Sequence, residues 1–141
     1  MSHKHELRRE AAHAAMATES KRLIRLQATP RLIALGSRAI YITSLKHGRF
    51  VSFRIALVYG LEKLKNDREL RLIAHLKHFK KHELHGLLRV HVALDGDECL
   101  LLETVKGLLQ VQSSSPVTTS DALCVALIAA NASESAEVFN S

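Results

Sequence analysis

Tryptophan is absent, aromatic residues make up only 4% of the chain, and cysteine and proline occur twice each. A core with almost no rings must be aliphatic, and the 47% hydrophobic content can supply one. Cys99 and Cys124 stand apart with no C-x-x-C spacing, so two buried free thiols are expected rather than a disulfide framework. No uncharged run approaches the roughly 20 residues of a membrane span. Met1-Ser2-His3-Lys4-His5-Glu6 lacks the apolar segment of a secretory signal, so a cytosolic setting is expected. G-x-S-x-G, G-x-x-x-x-G-K, G-x-G-x-x-G and H-E-x-x-H are all missing, so neither a catalytic residue nor a cofactor is expected. Asp95 and Asp97 flank Gly96, where turn formation is a simpler role than acid–base work.

A further absence is local. No Asp or Glu lies between Ser20 and Leu61, while Lys21, Arg22, Arg25, Arg31, Arg38, Lys46, Arg49 and Arg54 all do. From Gly86 onward the balance reverses: Arg89 and Lys106 stand against Asp95, Asp97, Glu98, Glu103, Asp121, Glu134 and Glu137. With a formal net charge of +6, the molecule is expected to carry a basic pole and an acidic one. A one-signed field draws phosphate-rich partners and weakens with salt.

A chain of 141 residues is one domain's worth. Residues 1–20, rich in Ala, Glu and Arg, predict a helical appendage, 21–132 the domain itself, and 133–141 a polar tail. Within the domain, Lys21 to Ala28 predicts a first strand, and Thr29-Pro30 punctuates it. Arg31 to Leu35 predicts a second strand. Ala39 to Ile42, a turn at Lys46-His47-Gly48, and the alternation of Val51, Phe53, Ile55 and Leu57 predict a hairpin. Leu70, Leu72, Ala74 and Leu76 fit another strand, with Phe79 to His85 as a loop. The same leucines, with Ile73 and Phe79, also fit a helix over 66–85. Leu88, Val90, Val92 and Leu94 alternate with Arg89, His91 and Ala93, and Asp95-Gly96-Asp97 then predicts a hairpin returning through Cys99 to Val105. Thr118, Thr119 or Ser120 caps a final apolar helix reaching Asn131.

This order of elements, with the stretch from Ala39 to Leu76 at its centre, resembles the pleckstrin-homology-like superfamily, its closest flavour being the tail-homology domain of class-I myosins. The resemblance implies a mainly β (α+β) fold: a bent antiparallel barrel of about seven strands, capped by the C-terminal helix and preceded by the N-terminal one. It also implies a non-enzymatic adaptor, peripheral at a membrane or the cytoskeleton, that binds anionic phospholipid headgroups or a protein partner. Arg25, Arg31, Lys46, Arg49 and Arg54 would then converge on one headgroup-binding rim, Arg by bidentate bonding and Lys as a point charge. The loop between the first two strands is short for that pocket, and no K-x(n)-R-x-R signature spans it.

Nucleic-acid binding is the alternative use of the same charge, although stacking residues are few. A purely protein–protein module is the third reading. The nine histidines invite a metal, and HVALDGDECLLLETVKG faintly resembles the nickel-binding half of the nickel-responsive repressors. Ala93 stands where that pattern needs a second strand ligand, and no ribbon-helix-helix reader precedes it. No metal is expected.

Overall fold

Eight elements organise residues 21–66 and 69–140, the residues that the computed structural model describes. They are strand β1 (Arg22–Ala28), helices α1 (Pro30–His47), α2 (Phe53–Asn66), α3 (Glu69–His78) and the one-turn α4 (Lys81–Leu84), strand β2 (Leu88–Leu94), and helices α5 (Gly96–Gln112) and α6 (Thr119–Asn140).

Helix α6 is the centre. Ala122 to Leu127, together with Ala129 and Ala130, are buried, so this stretch is apolar on every side and has no solvent face to offer. α1, α2, α3 and α5 all pack on it. A reciprocal cap closes its start: the Asp121 amide donates to Thr118 Oγ1 and the Thr118 amide to Asp121 Oδ2, both at 3.0 Å. Small residues let its neighbours come close, and at Gly60 of α2 a Cβ would run into the Ala126 backbone. At the far end of the buried stretch, Asn131 Nδ2 donates to Leu127 O at 2.8 Å and to Leu35 O at 3.0 Å, tying α6 to α1.

The surrounding helices bury apolar residues at helical spacing: Leu32, Ala39 and Ile42 of α1, Leu57, Leu61 and Leu64 of α2, and Leu102, Val105 and Leu109 of α5. β1 and β2 pair antiparallel from Arg22 opposite Leu94 to Ala28 opposite Leu88. Ile24, Leu26 and Ala28 of β1 and Val92 and Leu94 of β2 are buried on the inner face, while the intervening residues point to solvent.

The seven-strand barrel is overturned. Among the described residues there is one sheet of two strands, and the remaining elements are helices, which removes the pleckstrin-like architecture together with the pocket it implied. The expected first strand and the strand from Leu88 to Leu94 stand. The expected strand at Arg31 is the start of α1, because Thr29 is an N-cap whose Oγ1 accepts from the Leu32 amide at 3.2 Å, with Pro30 in the first turn. The expected hairpin at Gly48 is a helix–helix elbow. Asp95-Gly96-Asp97 starts a helix rather than turning a hairpin, through a capping box: the Glu98 amide donates to Asp95 Oδ1 at 2.8 Å and the Asp95 amide to Glu98 Oε1 at 2.9 Å. Cys99 to Val105 is therefore helical.

Between 66 and 85 the chain forms α3, a break at Phe79-Lys80, and α4, so the helical alternative holds in its first half. The final helix exists but forms the core instead of plugging a barrel, and its backbone continues past the expected stop at Asn131 to Asn140. The helical appendage over 1–20 lies outside the described residues.

Candidate functional site

Gly48 ends α1 in the left-handed region, φ 67°, where a residue without a Cβ is favoured. Its amide donates to Leu45 O at 3.3 Å, and the Arg49 amide donates to Ser44 O at 3.1 Å. Ser44 Oγ then accepts from the Val51 amide at 3.1 Å, and Ser52 Oγ accepts from the Ile55 amide at 3.2 Å, opening α2. Val51 is buried beneath this elbow, so the residue before it is turned outward. That residue is Phe50, 98% exposed.

Phe50 has company. Tyr41 and Leu45, four apart on the outward face of α1, are 51% and 50% exposed. Together with Ile40, Ser44 and Arg49 they border a shallow groove of about 530 Å³. Beside it, Lys46 Nζ donates to Tyr59 Oη at 2.9 Å, and Lys46 and Lys63 lie over the Tyr59 ring at 5.2 and 5.5 Å from its centroid. His47 meets the same ring edge-on at 6.1 Å, with Nδ1 2.9 Å from Thr43 O. The elbow is thus an apolar tip with a cationic flank, and all of it but Lys63, which follows Glu62, falls in the stretch that contains no carboxylate.

The five residues expected on one rim are distributed. Arg25 points outward from β1, on the sheet face opposite the core. Arg31, in the first turn of α1, lies with Nε 3.7 Å from Glu83 of α4. Lys46 and Arg49 alone share the elbow. Arg54 is drawn into the framework: its Nε donates to Glu98 Oε1 and Oε2 at 2.9 and 3.0 Å, its Nη2 lies 2.9 Å from Glu98 Oε2, and Asp95 Oδ2 is 3.9 Å away. Hydrogen bonding to Glu98, and its charge, hold the guanidinium above its ordinary range. With Arg22 also 3.8 Å from Glu103, the acidic second half is stitched to the basic first half rather than set apart from it.

Phe50, Tyr41 and Leu45 were not singled out by the sequence reading. The available signal was the helical wheel of α1, on which Tyr41 and Leu45 fall opposite Leu32 and Ala39. Among the described residues no three His, Cys, Asp or Glu side chains gather as a metal site, and no helix is long and apolar enough to cross a membrane. No protein-family model, curated protein or solved structure matches this chain.

Proposed function

We propose that this domain is a non-enzymatic targeting module that docks on anionic phospholipid membranes through the α1–α2 elbow. The observation that carries this reading is Phe50, 98% exposed on a turn in which the Gly48, Arg49 and Val51 amides are hydrogen-bonded, and flanked by Tyr41, Leu45 and Arg49. Solvent-exposed rings of this kind cost free energy in water and regain it at a lipid interface, where the aromatic body meets acyl chains and the basic neighbour meets phosphate.

The magnitudes describe a reversible contact. Burying Phe50 contributes about 1.5–3 kcal/mol, and each basic side chain near an anionic surface about 1 kcal/mol. Elbow binding is therefore weak, salt-sensitive, and dependent on both halves of the patch.

Sedimentation with vesicles of phosphatidylcholine and phosphatidylserine tests it. Pelleting is expected with phosphatidylserine present, lower at high salt, and about 10-fold weaker or more for Phe50→Ser. Equal pelleting of Phe50→Ser, no pelleting at low salt, or self-association of the chain through Phe50 in place of vesicle binding would each defeat the proposal.

A further inference from the structure

The outer face of the β1–β2 ribbon is a second surface, sharing no residue with the elbow. Arg25 stands directly opposite His91, Gln27 opposite Arg89, and Leu23 opposite Ala93, and all six are exposed. No carboxylate interrupts the block. On the other face Leu26 and Val90 line a small cavity with α1 residues and Phe53, and both strands contact the helices, so the ribbon is seated on them.

We infer that this ribbon face is a binding site for duplex DNA, entering the major groove. Paired strands lie about 4.8 Å apart and alternate residues about 6.8 Å apart along a strand. The three ranks thus cover about 5 by 14 Å between backbones, a size that suits a groove about 12 Å wide which admits a two-stranded ribbon. The side chains suit its edges: Arg25 and Arg89 present forks for guanine O6 and N7 or for phosphates, and Gln27 can pair with adenine N6 and N7.

The same face argues against other polyanions. A-form RNA hides its major groove in a deep, narrow cleft that side chains cannot read. Single strands are held by stacking, and the ribbon carries no aromatic side chain outside the imidazole of His91. On the face itself only Leu23 and Ala93 are apolar, with exposed Leu87 and Leu88 beyond its Arg89 end, and none of them is an aromatic of the kind that anchors at a lipid interface. Basic side chains on an exposed sheet also deter edge pairing, but that role makes no distinction between DNA and RNA, whereas a groove does.

Fluorescence anisotropy of the full chain tests the site, with a mixed-sequence DNA duplex of about 20 base pairs, two helical turns. The RNA duplex of the same sequence, single-stranded DNA and phosphatidylserine vesicles are run alongside. DNA duplex is expected to bind best. Replacing Arg25 and Arg89 together by Ala should weaken it at least about 10-fold and flatten the log–log salt slope by about 1.8, two phosphate equivalents at about 0.9 each. Vesicle pelleting should remain, and Phe50→Ser should show the converse. Gln27→Glu, which adds a carboxylate while keeping both arginines, should weaken DNA binding about 5-fold or more through like-charge repulsion of phosphate. Equal affinity for RNA duplex or single strands, unchanged binding by the double variant and by Gln27→Glu, or loss of vesicle pelleting in place of DNA binding would overturn the inference.

Discussion

Arg54 and Glu98, 44 residues apart, are joined side by side: Arg54 Nε to both carboxylate oxygens and Nη2 to Oε2, at 2.9 to 3.0 Å. Glu98 also closes the capping box of α5, so one carboxylate fastens the start of α2 to the β2–α5 junction. Arg54 remains 42% exposed while Glu98 is only 13% exposed, so losing the arginine strands the more buried partner. Arg54→Ala is expected to cost about 1–2 kcal/mol, at the low end for charged bonds because solvent reaches Arg54. In thermal unfolding this appears as a drop of roughly 3–8 °C. A double-mutant cycle with Glu98→Gln should show coupling, and additive losses would refute the linkage. Vesicle binding should survive Arg54→Ala if the elbow alone meets lipid.

Two glycine-to-alanine substitutions should move stability in opposite directions. Alanine gains about 1 kcal/mol over glycine within a helix. At Gly107 of α5 a new Cβ meets open space, and that gain should appear in full in urea unfolding. At Gly60 the Cβ overlaps the Ala126 backbone, and moving one helix off another should cost about 2–3 kcal/mol net or more. A stable Gly60→Ala protein would mean that α2 and α6 do not cross there.

Burial, and secondarily the charge of Asp121, push the Cys124 thiol up to about 12 from an ordinary 9.0. Between those values the unfolded chain has lost this proton while the folded chain keeps it. Stability should therefore fall as pH rises above about 9, by up to about 1.4 kcal/mol per unit, with no contribution below. Cys124→Ala removes the group, so its stability deficit against the parent protein should shrink as pH rises from 9 towards 10. Urea curves at pH 7, 9 and 10 would show this, and a constant deficit would contradict it.

The elbow separates contact from framework. Phe50→Ser should leave the midpoint of unfolding within about 0.5 kcal/mol, since an exposed ring supports nothing inside. Val51→Ala, one residue on and buried, should lose roughly 1–2 kcal/mol while keeping vesicle binding. Reversed stability effects would mean that the turn presents the other side chain.

Legibility differed from element to element for physical reasons. β1 and β2 could be read because polar residues such as Arg25, Gln27, Arg89 and His91 alternate with buried aliphatics, but alternation alone did not decide the state, since Phe53, Ile55 and Leu57, and Leu70, Leu72, Ala74 and Leu76, alternate too and are helical. The buried part of α6 could be read because it is apolar on all sides. α1 and α2 could not be separated from strands by their apolar residues, since Ala39, Ile40, Tyr41 and Ile42 form an unbroken run that suits either state. The deciding signals were polar and local: Thr29-Pro30 as a helix start, and Asp95 with Glu98 as a reciprocal cap. Each of these short polar motifs equally suits a strand end or a turn. The basic cluster failed as a ligand rim for another reason. Which carboxylate an arginine meets is set by tertiary structure, and the partners of Arg31 and Arg54 come from 44 residues or more downstream.

The helix on which the others rest comes after all of them in the chain. During synthesis, α1, α2 and α5 can meet one another, but the apolar surface that α6 covers stays open until Ala122 to Ala130 have emerged. Contacts such as Asn131 with Leu35 span 96 positions, so this part of the core closes only when both ends of the domain are present. Nascent chains stopped short of α6 should accordingly be the ones that chaperones hold and proteases find.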